Sequence, residues 1–333
     1  MMKLLRYVLI AAVLFTAFCY LNNTSLFSTP EEGKPVLLAH RGLHQTFTHH
    51  DLKSDTCTAT RIYPPEHEFI ENTLPSIDAA FRAGADIVEL DVHPTTDGHF
   101  AVFHDWTLGC RTEGKGVTRD HTLAELKALD IGYGYTADGG MTFPLRGKGV
   151  GLMPTLDEVL ARFPDKRFLI NVKGDDPEEG KLLAARIEGL SPDERNLLMV
   201  YGGKQPIAEL NARLPDIKVM SRDTLKRCGL TYLAVGWTGY VPQACRNTLL
   251  LVPANYAGLL WGWPERFLQR MRAAGSDVFV TGNFSAGDPG TSGIDDATSL
   301  AAIPKGFAGG IWTNRIDRIG PAVREAARLK LDD

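Results

Sequence analysis

The chain has 333 residues, 44% of them hydrophobic and 23% charged, so it carries enough apolar material for one large core and is neither disordered nor fibrous. A net charge of −4 and the absence of any Lys/Arg run remove a general electrostatic reason to bind nucleic acid, and no nucleic-acid partner is expected.

In chain order, Lys3 and Arg6 come first and are followed by fifteen residues without a charge, 7–21. A bilayer core of about 30 Å calls for roughly 20 apolar residues, and Leu4 and Leu5 extend the run toward that length. Its end, Thr16-Ala17-Phe18-Cys19-Tyr20, offers no small-x-small cleavage site and a poor lipoprotein signal. The expectation is a short cytoplasmic end, 1–6, and an uncleaved membrane anchor, 7–21. Basic residues on the N-terminal side place the rest outside the cytoplasm, in the periplasm if the cell is bacterial. A cleaved signal peptide and a secreted chain are the alternative. After Cys19 four cysteines remain, Cys57, Cys110, Cys228 and Cys245, none at a zinc-binding spacing. Two disulfides suit an exported domain, with three connectivities open; pairing neighbours joins Cys57 to Cys110 and Cys228 to Cys245, and four buried thiols are the other reading.

Beyond a polar linker, 22–34, apolar β-rich runs alternate with amphipathic helical stretches. The strand-like runs are 36–40, 86–92, 167–173, 196–201, 217–221, 249–253, 277–281 and 309–314, and helices are expected over 73–83, 155–163 and 178–190. Eight strands joined by helices predict an α/β, TIM-like (β/α)8 barrel over 35–333. Two stretches, 43–70 and 137–153, have neither period and are expected as inserted loops.

Polar groups collect where the strand-like runs end: His40-Arg41-Gly42, Glu71-Asn72-Thr73, Glu89-Leu90-Asp91, His104-Asp105 and Asn171-Val172-Lys173. In a barrel that end is the catalytic face. Strand side chains alternate, so Glu89, Asp91 and His93 point to one side, and two converging carboxylates suit a cation. An ion pair of these carboxylates with Arg41 is the structural alternative.

The succession HRG, ENT, GADIVELDVHPTTDG, FHDWTLGCRT, MPTLDEVL and IWTN, from Val36 to about Asp317, resembles the glycerophosphodiester phosphodiesterase family. The resemblance implies a TIM barrel, a divalent cation (Ca²⁺ or Mg²⁺) and hydrolysis of a phosphodiester to a phosphomonoester and an alcohol. It implies His40 and His104 as the catalytic histidines, Glu71, Glu89 and Asp91 as metal carboxylates, and Arg41 and Lys173 as phosphate-binding cations. Two imidazoles can activate a nucleophile and protonate an alkoxide leaving group near neutral pH. The nucleophile is either water or a neighbouring glycerol hydroxyl. Trp312 is expected to pack on the substrate or to fill the barrel mouth, and Trp261 and Trp263 to form an apolar rim.

The chain departs from the family where Glu-x-Lys reads Asn171-Val172-Lys173. Asn171 can offer its amide oxygen to a metal, with less charge, and Glu71 or Asp175 can compensate. All nine histidines precede residue 122, so a second metal site from His44, His49, His50 and His67 stands beside a solvated loop as a reading of the first insertion. Expected substrates are small glycerophosphodiesters, with lysophospholipids as the near alternative. A catalytically weak phosphodiester-binding protein is the rival from another class.

Overall fold

The computed structural model describes residues 2–27, 33–53, 55–285, 290 and 292–329, so part of the expected linker, 28–32, lies outside the described residues. Nine strands are described: β1 Val36–Ala39, β2 Ile87–Pro94, β3 Phe100–Val102, β4 Arg167–Val172, β5 Leu198–Gly202, β6 Lys218–Ser221, β7 Leu249–Pro253, β8 Asp277–Thr281 and β9 Gly310–Thr313. All the expected strand runs are strands. They lie in the order β6-β5-β4-β2-β1-β9-β8-β7, with every neighbour on that path parallel. Between β6 and β7, where no ladder is described, the Thr248 hydroxyl donates to the Val219 carbonyl at 2.5 Å. The result is a nearly closed TIM-like barrel.

The strands read as continuous apolar runs because both faces are covered. Leu38, Ile87, Leu169, Met199, Leu249, Phe279 and Trp312 fill the barrel, while residues such as Val88, Ile170 and Val200 pack outward beneath helices Leu74–Ala83, Leu156–Arg162 and Pro177–Glu188. The helix Leu74–Ala83 is capped by Thr73, whose side chain accepts from Ser76 N–H, has Pro75 in the first turn, and ends at Gly84 in the left-handed region.

Two features were not expected. Strand β3 pairs antiparallel with β2, Val92 opposite Val102, and delivers His104 to the mouth. The inserted segments stay irregular, as expected, but Phe47, Ile62, Leu145 and Met153 from them join Leu108, Leu126, Ile131 and Tyr135 of the stretch between them in a second core. Disulfides Cys57–Cys110 and Cys228–Cys245 are formed, the neighbour pairing. Met2–Asn23 is a single helix of 22 residues, exposing Leu4, Leu9, Val13 and Leu14 and long and apolar enough to cross a membrane. Its C-terminal end is tied to the barrel: Asn22 and Asn23 Nδ2 donate to Trp237 O at 2.9 and 3.0 Å, and Arg270 Nη2 donates to Asn22 O at 2.8 Å.

Candidate active site

The mouth of the barrel is organised by the turn after β1. Arg41 has φ 55° and Gly42 φ 78°, and a Cβ on Gly42 would fall 2.3 Å from Ser76 Oγ, so the position requires glycine. Asn72, with φ 59°, donates its backbone N–H to Arg41 O at 3.0 Å, and Ser76 Oγ donates to the same oxygen at 3.2 Å. Left-handed non-glycine backbone costs on the order of 1–3 kcal/mol each, and it is held here by the interlock of the two motifs.

That turn sets Arg41 among three carboxylates. Its backbone N–H donates to Glu89 Oε2 and its Nη1 to Glu71 Oε1, both at 3.1 Å, while Nε lies 3.3 Å from Asp91 Oδ2 as an ion pair without hydrogen-bond geometry. Glu89, Asp91 and His93 share one side of β2, all fully buried. Asp91 also accepts from Asn72 Nδ2 at 3.0 Å and Asn171 Nδ2 at 2.8 Å, and Lys173 Nζ is 3.3 Å away. Glu89 accepts from the Tyr201 hydroxyl at 2.7 Å.

These contacts divide the carboxylates electrically. Burial raises Glu71, but Arg111 and Arg41 outweigh it and hold the group down at about 2. Burial and then the Asp91 charge push Glu89 up to about 8, whereas Lys173, His104 and Arg41 overcome burial at Asp91 and keep it ionised. Of the two carboxylates on this strand face, Glu89 is the one whose protonated form burial and the neighbouring charge favour.

Both expected catalytic histidines are at this mouth, each clamped through Nδ1. His104 Nδ1 meets Asp105 Oδ1 at 2.6 Å. Burial opposes ionisation of Asp105, but Arg111 and His104 hold its carboxyl far below the usual range, so Nδ1 carries the hydrogen. His40 Nδ1 meets Asn314 Oδ1 at 2.7 Å, and the Asn314 amide is oriented by donating Nδ2 to Asp295 Oδ2 at 2.8 Å. Each imidazole therefore keeps Nε2 for chemistry, that of His40 lying 3.8 Å from Glu89 Oε2. Burial, then Arg41 and Lys173, lowers His104 to about 4; burial, then Arg41 and His44, takes His40 well below its ordinary value. Both are neutral at neutral pH.

Trp312 fills the barrel. It is 2% exposed, its ring lies 4.9 Å from that of His40, and its indole N–H is buried with no acceptor. Asp175 accepts from Gln205 N–H at 3.0 Å and takes no part in the carboxylate cluster. The insertion histidines do not gather: His44 Nδ1 bonds Gln45 O, His67 Nδ1 meets Gln45 Nε2, His49 stacks on Phe47 and His50 pairs with Asp51. Four further groups belong to the site, Asp105, Tyr201, Asp295 and Asn314. Tyr201 lies opposite Asn171 in the β4–β5 register, which strand alternation could have found. Asp295 lies in a loop without a signature.

Among the described residues no group of three or more His, Cys, Asp or Glu side chains stands ready to hold a metal. The carboxylate oxygens are drawn onto Arg41, Arg111, Lys173 and Tyr201, and Asn171 stands where a further carboxylate is expected. The chemistry of the set still fits a hard divalent cation. Glu89, Asp91 and Asn171 carry oxygen atoms of the kind such an ion takes, and a cation there would offset the burial and the Asp91 charge that raise Glu89.

The model of the Glycerophosphoryl diester phosphodiesterase family matches residues 40–184, which contain all of these motifs except IWTN. Over 233 residues the chain is 39% identical to the Bacillus subtilis protein YhdW, provisionally named a glycerophosphodiester phosphodiesterase, covering 63% of this chain and 88% of that relative. The chain belongs to the glycerophosphoryl diester phosphodiesterase family. A glycerophosphodiester phosphodiesterase of Caldanaerobacter subterraneus subsp. tengcongensis is 42% identical over 103 residues, 31% of this chain, and the chain spans 39% of that relative's length. The family fold recurs in an Oleispira antarctica phosphodiesterase solved with the product sn-glycerol-3-phosphate, at TM-score 0.54 and 19% identity over 88% of this chain and 97% of that one.

Proposed function

We propose that this protein is a phosphoric diester hydrolase that cleaves glycerophosphodiesters to glycerol phosphate and an alcohol, with His40 and His104 as the acid–base pair. The observation that carries this reading is the pair of imidazoles at the mouth, His40 buried and His104 partly exposed, each with Nδ1 locked and Nε2 open, set around Arg41 and Lys173. The Oleispira antarctica relative binds a glycerol phosphate, which supports the substrate class.

Arg41 and Lys173 bind and orient the phosphate anion. Its charge offsets the two cations that depress His104, so substrate binding favours the protonated imidazole that the leaving group needs. One Nε2 takes the proton of the nucleophile, water or the adjacent glycerol hydroxyl, as the P–O bond forms. The other Nε2 delivers a proton to the departing alkoxide as its P–O bond breaks. Asp105 and Asn314 keep the rings in one tautomer throughout. Glu89, Asp91 and Asn171, with Glu71 behind them, would hold a Ca²⁺ or Mg²⁺ ion, which when bound offsets charge on the phosphate oxygens. The test is turnover of a panel of glycerophosphodiesters and lysophospholipids under controlled Ca²⁺ and Mg²⁺: glycerophosphodiesters should release their alcohols, and binding without release would leave a phosphodiester-binding protein.

Asn171 sets the charge of the ion site. Replacing it by Glu adds a carboxylate beside Asp91, and titration calorimetry should show tighter binding of Ca²⁺ or Mg²⁺ than in wild type. Activity need not rise, because a more anionic site repels the phosphate. Equal affinities would place residue 171 outside the ion's ligands.

The helix Met2–Asn23, roughly 33 Å long at 1.5 Å per residue, supports an uncleaved anchor that keeps the barrel on the extracytoplasmic side of a membrane. The full-length chain should stay with membranes after a carbonate wash, and a chain lacking residues 1–30 should not. A mature N-terminus near residue 20 would show cleavage instead.

A further inference from the structure

Arg111 is a buried cation that the acid–base scheme does not use. It is 1% exposed, and its donors reach two carboxylates, two hydroxyls and the Cys110 sulfur. Nη1 bonds Asp105 Oδ2, Nη2 donates to Thr58 Oγ1 at 2.7 Å and to Glu71 Oε2 at 3.2 Å, and Nε donates to Tyr135 Oη at 3.1 Å. One planar fork therefore spans two carboxylates of the mouth. Asp105 is the group that clamps His104, and Glu71 is the group whose other oxygen holds Arg41.

The covalent frame of this contact comes from the insertion. Thr58 follows Cys57 and Arg111 follows Cys110, so the disulfide joins the positions next to the two residues that touch. From the other side Gly134 N–H donates to Arg111 O at 3.3 Å, and a Cβ on Gly134 would fall 1.9 Å from Cys110 O. The backbone at 110–111 is thus held between a disulfide and a close-packed turn. Without these contacts Asp105 loses a charged partner and the His104 clamp loses its fixed anchor.

From this geometry we infer that Arg111 is the positioning residue of the His104 half of the site, and that the inserted segment holds it in place through Thr58 and the Cys57–Cys110 disulfide. The inference rests on the reading of His104 as an acid–base group. Arg111 touches no substrate in this scheme; it acts through Asp105 on the tautomer and direction of His104. A lysine keeps the charge but cannot reach Asp105, Glu71, Thr58 and Tyr135 from one planar group. Thr58→Val keeps the shape and removes one acceptor. The insertion is then part of the catalytic apparatus and not a solvated loop, and activity depends on an oxidised Cys57–Cys110 pair.

The experiment uses the full chain and three variants, Thr58→Val, Arg111→Lys and the double change Cys57→Ser with Cys110→Ser. It reads kcat and KM on glycerophosphocholine, melting temperature, and the ¹⁵N ring signals of His104, assigned with His104→Ala. Arg111→Lys should lower kcat on the order of 10²-fold, and Thr58→Val and the disulfide variant about tenfold, with KM changed by no more than about threefold. In all three the His104 ring should pass from one Nδ1–H tautomer to a mixture. Wild-type ring signals in Thr58→Val and Arg111→Lys, or losses that follow melting temperature alone, would overturn the inference. If wild type hydrolyses no glycerophosphodiester, the proposed function fails by itself, and the ring signals still decide the role of Arg111.

Discussion

His40→Ala and His104→Ala are each expected to lower kcat by about 10²- to 10⁴-fold, the usual contribution of a positioned proton-transfer group. The two losses should differ in their side effects. His104 lies on the mouth with its side chain 20% exposed, so its removal should leave stability close to wild type. His40 is buried against Trp312 and holds Asn314, so its removal also leaves a small cavity and an amide oxygen without its donor. A modest fall in melting temperature should accompany that variant alone. Steady-state kinetics beside thermal unfolding separate the effects, and near-normal kcat in either variant would remove that imidazole from proton transfer.

Arg41→Met is expected to have the largest effect on stability, a loss of about 3–5 kcal/mol, because it leaves buried charges without their partner. Arg41 is 4% exposed and faces Glu71, Glu89 and Asp91 together. The sign of the pH dependence follows from Glu71. Its folded value of about 2 lies below the ordinary 4.5, so the stability it contributes is present above 4.5 and fades as pH falls toward 2. Removing Arg41 takes away part of that depression, so the deficit should be full at neutral pH and shrink as pH falls through 4.5 toward 2. Urea unfolding of wild type and Arg41→Met across that range measures it. A deficit that is small, or that grows on acidification, would show that Arg41 does not balance these carboxylates.

The barrel was legible because parallel strands covered on both faces leave long apolar runs, and each such run proved to be a strand. The short strand Phe100–Val102 was missed because three residues carry no period. The core of the insertions was missed for a related reason. Phe47 and Ile62 are single apolar residues among polar ones, and neither helical nor strand spacing relates them. At the mouth, strand ends and motifs bring together His40, Arg41, Glu71, Glu89, Asp91, His104, Asn171 and Lys173, whose roles in turnover are the proposal. The residues that hold those side chains were less visible. Asp105 and Asn314 sit inside quoted motifs but take their meaning from contacts across 1 and 274 positions of sequence, respectively. Trp312 could be read as a substrate contact or as filler of the barrel mouth, and only the register of β9 beside β1 puts it beneath His40.

The central claim is tested most directly by ³¹P NMR of glycerophosphocholine incubated with the full chain in Ca²⁺ or Mg²⁺, beside the His40→Ala, His104→Ala double variant. Wild type should convert the phosphodiester signal to that of glycerol phosphate while the double variant leaves it unchanged. A signal that persists with wild type under both ions, or that the double variant converts at the wild-type rate, would contradict hydrolysis by this pair of histidines.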